Sequence, residues 1–72
     1  MKYNERLRWL RESRELTQAE IARILHTTQQ YYGQYELGNR PLHIDHLEAL
    51  CRFYGVSADY ILGLPKNLTW PE

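Results

Sequence analysis

Apolar residues recur at helical spacing in five stretches of the chain, which predicts five short helices and an all-α fold. The stretches cover residues 4–14, 18–25, 29–37, 44–54 and 58–62. Apolar positions in these stretches, together with Tyr3 just before the first, form the predicted core: Leu7, Leu10, Ile21, Ala22, Leu25, Tyr32, Tyr35, Ile44, Leu47, Leu50, Cys51 and Tyr54. The polar positions between them form the outer face of each helix.

Capping residues support these boundaries. Thr17 is expected to cap the second helix, and Glu20 three residues later completes a capping box. Thr28 and Ser57 are N-cap residues for the third and fifth helices. Gly38 suits a left-handed C-cap after the third helix. Residues 17–37 therefore read as two short helices joined by a tight turn.

The third helix presents a polar outer face made of Gln29, Gln30, Tyr31, Gly33 and Gln34. Glutamine amides can donate to and accept from the edge of a base at once. Two short helices with such a face are typical of a helix-turn-helix, in which the second helix enters the DNA major groove. We therefore predict base contacts from the three glutamines and from Tyr31. For Tyr31 the alternative is that its ring only shields the helix.

The chain resembles the lambda-repressor/Cro (XRE) family of DNA-binding proteins from about residue 3 to residue 64. The matching motifs are Thr17-Gln18, Ala22, Leu25, the run 27–30, Glu36, Gly38 and the pattern of residues 54–62. The resemblance implies a five-helix, lambda repressor-like domain whose helices 2 and 3 form the helix-turn-helix. It also implies a sequence-specific, DNA-binding transcriptional regulator, with repression as the expected sign.

The same resemblance assigns roles to single residues. It implies a structural ion pair between Arg11 and Glu36, and contacts from Gln18, Thr28 and Arg40 to the DNA backbone. A polar residue in the first turn of a helix, with no DNA contact, is the alternative for Gln18.

The chain departs from the family pattern at two turn positions. Glu15 and His26 stand where the family has glycine, and both positions are expected to need a left-handed backbone that costs about 1 kcal/mol.

The net charge of zero argues against DNA binding, because phosphate contact is the main source of affinity. The charge is uneven, however. Residues 1–40 carry seven basic and five acidic side chains, whereas residues 41–72 carry two and four. The helix-turn-helix half is therefore the basic one, although the effect is modest.

The sequence indicates neither a membrane span nor a signal peptide, so we expect a cytoplasmic protein. A single cysteine, Cys51, excludes an internal disulfide and fits a reducing compartment.

No arrangement of residues indicates catalysis, so we expect no enzyme activity and no cofactor. His43 and His46 are spaced to share one face of a helix, but a metal site would need a third ligand that the sequence does not offer. Two other binding functions stay open for the same fold: a protein-interaction module, and an antitoxin that binds both DNA and a protein.

We divide the chain into a DNA-binding domain, residues 1–63, and a C-terminal tail, residues 64–72. One helix in one groove reads few base pairs, so double-stranded DNA with a palindromic operator and a homodimer are the expected partners. Tyr60, Leu64, Leu68 and Trp70 are the predicted dimer surface. The alternative is that Trp70 folds back near Trp9 and the protein dimerises only on DNA.

Overall fold

A computed structural model describes residues 2–69 and residue 71 of the chain. Its helices are α1 (Tyr3–Ser13), α2 (Gln18–Ile24), α3 (Gln29–Leu37), α4 (Ile44–Tyr54) and α5 (Ala58–Leu62). The all-α, five-helix prediction is confirmed, and the bounds of α3, α4 and α5 are those that the sequence predicts. None of the helices in the described ranges combines the length and the apolar character that crossing a membrane would need.

The predicted caps hold the ends of the helix-turn-helix. The Thr17 hydroxyl accepts from the Glu20 backbone N–H at 3.1 Å, and the Glu20 carboxylate accepts from the Thr17 N–H at 2.9 Å. Thr28 caps α3 by accepting from the Tyr31 N–H at 3.0 Å. Gly38 closes α3 with a φ of 77°. Each cap satisfies a backbone group that the end of a helix leaves without a partner.

Glu15 and His26 adopt the left-handed backbone that was predicted for them, with φ of 57° and 58°. In both turns the next residue closes the preceding helix: the Leu16 N–H donates to the Arg11 carbonyl at 3.0 Å, and the Thr27 N–H donates to the Ala22 carbonyl at 2.9 Å. This is the Schellman pattern, which normally uses glycine at the left-handed position. Both turns are therefore mildly strained.

The core lies where α2, α3 and α5 meet α1 and α4. Six side chains are fully buried: Leu7, Ile21, Tyr32, Tyr35, Leu50 and Ile61. The tightest packing joins α2 to α3, while α1 packs on α3 and α5. The core therefore fixes α3, the predicted recognition helix, from two sides and leaves its outer face free.

One predicted core position is wrong. Ile44 is 74% exposed. It is the first residue of α4, whose buried residues, Leu50 and Tyr54, lie in later turns. Helical side chains also lean toward the N-terminus of their helix, which takes Ile44 further from those turns. Ile61 is fully buried, although it is not among the predicted core residues.

Candidate nucleic-acid interface

A shallow groove of about 380 Å³ runs along the outer face of α3. Its lining consists of Gln18, Gln29, Gln30, Gly33, Gln34 and Leu37. Four of these six residues carry an amide, and the three predicted glutamines of α3 are brought together in one place. A solvent-accessible groove lined by amide donors and acceptors can form hydrogen bonds to the edges of bases.

The recognition-helix glutamines differ in how firmly they are held. Gln29 and Gln30 lie exposed in the first turn of α3, directly after the Thr28 cap. Gln34, one turn later, is half-buried, and its Oε1 accepts from Asn39 Nδ2 at 3.1 Å. This bond orients the Gln34 amide. The side chain of Gln34 is therefore the most preorganised of the three, while the side chains of Gln29 and Gln30 keep their rotamer freedom.

Gln18 joins the start of α2 to the recognition helix. Its Nε2 donates to Glu36 Oε1 at 3.1 Å. A Cβ built on Gly33 would lie 3.4 Å from Gln18 Oε1, so the bare backbone of α3 faces this amide. Gln18 therefore buttresses α3. One Nε2 proton and the N–H groups of the α2 first turn remain suited to a phosphate, and that contact stays a prediction.

The predicted ion pair between Arg11 and Glu36 is present and bidentate. Arg11 Nε donates to Glu36 Oε2 at 2.7 Å, and Nη2 donates to Oε1 at 3.0 Å. The side chains are only 13% and 4% exposed. Arg11 Nη1 also donates to the Leu16 carbonyl at 2.9 Å, so the same guanidinium braces the strained turn after α1. The pair ties α1 to the end of the recognition helix.

The environment keeps Glu36 ionised. Burial would raise the pKa of this carboxyl, but the hydrogen bonds from Arg11 and Gln18 outweigh it, and the pKa is lowered from its ordinary value. The hydrogen bond to Glu36 correspondingly raises the pKa of Arg11. The charge pair is therefore intact across the neutral range.

Thr28 and Arg40 flank the groove without lining it. The Thr28 oxygen is used as the cap of α3, which leaves its hydroxyl proton for an acceptor such as a phosphate. Arg40 lies exposed in the loop between α3 and α4. Their contacts to a DNA backbone stay predictions.

Tyr31 lies apart from the glutamines, although they share a helix. It is half-buried and does not line the groove. Its ring packs edge-on against Tyr35, with centroids 5.5 Å apart, and against His46 at 6.0 Å. The Arg40 guanidinium stacks over the same ring, 4.3 Å from its centroid. The structure thus groups Tyr31 with the α3–α4 loop.

Sequence reasoning missed a hydrogen-bond network between α3 and α4. The Tyr35 hydroxyl accepts from the His43 backbone N–H at 3.2 Å and lies 2.8 Å from His46 Nδ1. Burial, followed by the proximity of His43, lowers the pKa of His46, which favours the neutral imidazole. A neutral Nδ1 can accept a hydrogen bond from the Tyr35 hydroxyl. In the sequence, the spacing of the two histidines suggests only a metal motif. The described residues contain no group of three side chains that could hold a metal ion.

The Helix-turn-helix family model matches residues 7–61, a span that includes the groove and the ion pair. The chain belongs to the helix-turn-helix family. YobD of Bacillus subtilis strain 168, named as an uncharacterized HTH-type transcriptional regulator, is 42% identical over 65 residues, which cover 90% of this chain. The SPbeta prophage-derived regulator YonR of the same strain is 37% identical over 60 residues, or 83% of the chain.

A third helix-turn-helix relative carries a different label. BcrR of Enterococcus faecalis, named as an HTH-type transcriptional activator, is 28% identical over 72 residues, the full length of this chain. The chain spans only 58%, 56% and 35% of YobD, YonR and BcrR, respectively. The shared part is therefore the helix-turn-helix domain of longer proteins.

The fold has a close match among solved structures. The crystal structure of a transcriptional regulator from Listeria innocua superposes with a TM-score of 0.86 at 22% identity, covering 99% of this chain and 65% of that one. At that identity the likeness shows the fold alone.

Proposed function

We propose that this helix-turn-helix domain is a sequence-specific DNA-binding transcriptional regulator that reads the major groove with α3. The observation that carries the proposal is the groove on the outer face of α3, where Gln29, Gln30 and Gln34 converge. Glutamine pairs bidentately with adenine in the major groove and donates to guanine, so three such side chains on one helix can distinguish base pairs.

The residues divide into two roles. Gln29, Gln30 and Gln34 read bases, while Gln18, Thr28 and Arg40 hold the backbone on either side and set the register. Tyr31 was also predicted to touch bases. It lies outside the groove, and a base contact from it stays a prediction.

We propose repression as the sign of regulation, because repression needs only occupancy of a promoter. The name of BcrR illustrates that a related chain can carry the opposite label. Because the proposed target is chromosomal DNA, we also propose that the protein acts in the cytoplasm.

A homodimer on a palindromic operator would supply the reach that one recognition helix lacks. Supporting it, Tyr60, Leu64 and Leu68 are 37%, 43% and 58% exposed at α5 and in the tail of residues 64–72. Trp70, the fourth residue of the predicted surface, lies outside the described residues.

Exposed apolar side chains favour one second candidate, a module that binds a protein. Trp9 is 53% exposed on α1 and Phe53 40% on α4, and the net charge is zero. Aromatic residues on a weakly charged surface are typical of the centre of a protein interface. An antitoxin would combine this surface with the groove on α3.

Selection of bound sequences from a random duplex pool, followed by affinity measurements at low and moderate salt, tests the proposal. A DNA-binding regulator enriches a palindromic motif and loses affinity as salt increases. Arg40→Ala should weaken binding to all sequences alike, because Arg40 is predicted to contact the DNA backbone. Arg52→Ala is its matched control, since Arg52 is an exposed arginine that pairs with Glu48 on α4. Absence of enrichment together with salt-independent, weak binding would leave the protein-binding module as the better account.

A further inference from the structure

Arg40 is held at two points, although it lies in the loop between α3 and α4. Its backbone carbonyl accepts from the Tyr3 hydroxyl at 2.7 Å, which ties the loop to α1. Its guanidinium stacks over the Tyr31 ring at 4.3 Å. Within the described ranges the side chain forms no ion pair, so its N–H donors are not occupied by a carboxylate.

The ring below Arg40 is itself fixed. Tyr31 packs edge-on against Tyr35 and His46, at angles of 90° and 89°. Tyr35 is fully buried, and its hydroxyl oxygen lies 2.8 Å from His46 Nδ1. Three aromatic rings from α3 and α4 therefore form one rigid support, and the Tyr31 ring of that support carries the guanidinium.

We propose that Tyr31 is a positioning residue, which holds Arg40 ready for a DNA phosphate and reads no base itself. The inference rests on the proposed function. An arginine side chain free in solution must be ordered when it binds, and that ordering weakens the complex. A guanidinium already stacked on a fixed ring keeps its in-plane donors available while much of its rotamer freedom has been lost before binding.

The chemistry of this support also explains why an aromatic residue is needed at position 31. A guanidinium stacks face-to-face on a ring and directs its five donors outward in the plane, whereas an aliphatic residue offers neither a flat face nor a negative one. The phenol oxygen of Tyr31 is not required for stacking. Phenylalanine should therefore replace Tyr31, and leucine should not.

Double-mutant analysis tests the coupling between Tyr31 and Arg40. The affinity of each variant is measured for the selected DNA duplex and for a duplex of random sequence. Tyr31→Leu should weaken both complexes alike, by about 3- to 10-fold, the cost of ordering one long side chain. Tyr31→Phe should stay within about twofold of wild type, since it preserves the ring face. In an Arg40→Ala background, Tyr31→Leu should have no further effect, because the residue that it positions is gone.

Two results would overturn the proposal. Equal losses from Tyr31→Leu with and without Arg40 would show that Tyr31 acts independently of it. A loss confined to the selected duplex would show that Tyr31 reads a base.

Arg40→Lys keeps the test valid even if Tyr31→Leu fails to fold, since position 40 is an exposed loop residue. Lysine keeps the charge but lacks the planar group that stacks. The affinity should fall by a similar factor while the salt dependence stays that of wild type, and wild-type affinity would contradict the proposal. Gln29→Ala, Gln30→Ala and Gln34→Ala test the proposed function separately, and an unchanged sequence preference in all three would reject it. The coupling between Tyr31 and Arg40 is also measured on random DNA, so its outcome does not depend on that result.

Discussion

Removal of Arg11 should destabilise the domain severely, because it leaves the Glu36 carboxylate buried without its main partner. The Glu36 side chain is 4% exposed, and two hydrogen bonds of 2.7 and 3.0 Å join it to Arg11. Breaking a buried pair from one side costs about 3–5 kcal/mol. Proteins are stabilised by only about 5–15 kcal/mol, and a chain of this size lies near the low end. Arg11→Ala should therefore retain no more than about 2 kcal/mol of stability, with a much lower urea midpoint than the wild type.

Urea denaturation followed by circular dichroism measures the effect. The matched control is Arg8→Ala, which breaks a pair with Glu12 whose side chains are 64% and 57% exposed. That pair is worth less than about 1 kcal/mol. Replacing both buried partners, as Arg11→Met with Glu36→Leu, should recover much of the stability lost in the single variant, because no unpaired charge remains.

The refuting result is a clear one. If Arg11→Ala and Arg8→Ala have the same urea midpoint, the contact between Arg11 and Glu36 is no more than a surface pair and the ordering of α1 against α3 has another origin. A pH titration gives an independent check. Because the pKa of Glu36 is lowered from 4.5, the stability that the pair contributes is present above pH 4.5 and should be lost as the pH falls through the lowered value.

Three further predictions concern other parts of the domain. Gly33→Ala should raise the stability by up to about 1 kcal/mol, since a helix favours alanine over glycine. It should also lower the affinity for selected DNA, because the added methyl group fills part of the groove. Unchanged affinity would show that DNA does not approach this backbone. The pKa of His46 is lowered from 6.5 by burial, so the unfolded chain takes up a proton at a higher pH than the folded protein does. The urea midpoint should therefore decline as the pH falls below about 6.5. If the decline persists in His46→Gln, it originates from another group. Glu15→Gly and His26→Gly should each stabilise the domain by about 1 kcal/mol in the same denaturation assay, because both positions have a positive φ. Destabilisation by either substitution would show that the turn is not strained.

Much of the fold follows from local signals in the sequence. The bounds of α3 are marked by Thr28 and Gly38, and both the caps and the helical periodicity act within a few residues. The left-handed turns at Glu15 and His26 were also predictable, but only through the family resemblance. The resemblance likewise supplied the partner of Arg11, which is 25 residues away in the chain.

Long-range geometry was beyond the sequence pattern. Periodicity assigned Tyr31 to the outer face of α3, but a large ring at the edge of that face can turn toward a neighbouring element. Its neighbours, His46 and Arg40, come from α4 and from a loop whose course no local signal fixes. Ile44 was wrongly predicted to lie in the core because it shares the periodic face of α4, whose buried residues, Leu50 and Tyr54, lie in later turns.

Sequence readout by the groove is the central claim, and the most direct test compares two DNA targets in one assay. The affinity of the wild type and of Gln30→Ala is measured on the selected operator and on random duplex at the same salt concentration. We predict that the substitution costs about 1–3 kcal/mol on the operator and little on random DNA, because only base contacts distinguish the two. Equal losses on both targets would show that the glutamines of α3 only position the protein on the backbone, and would contradict the account.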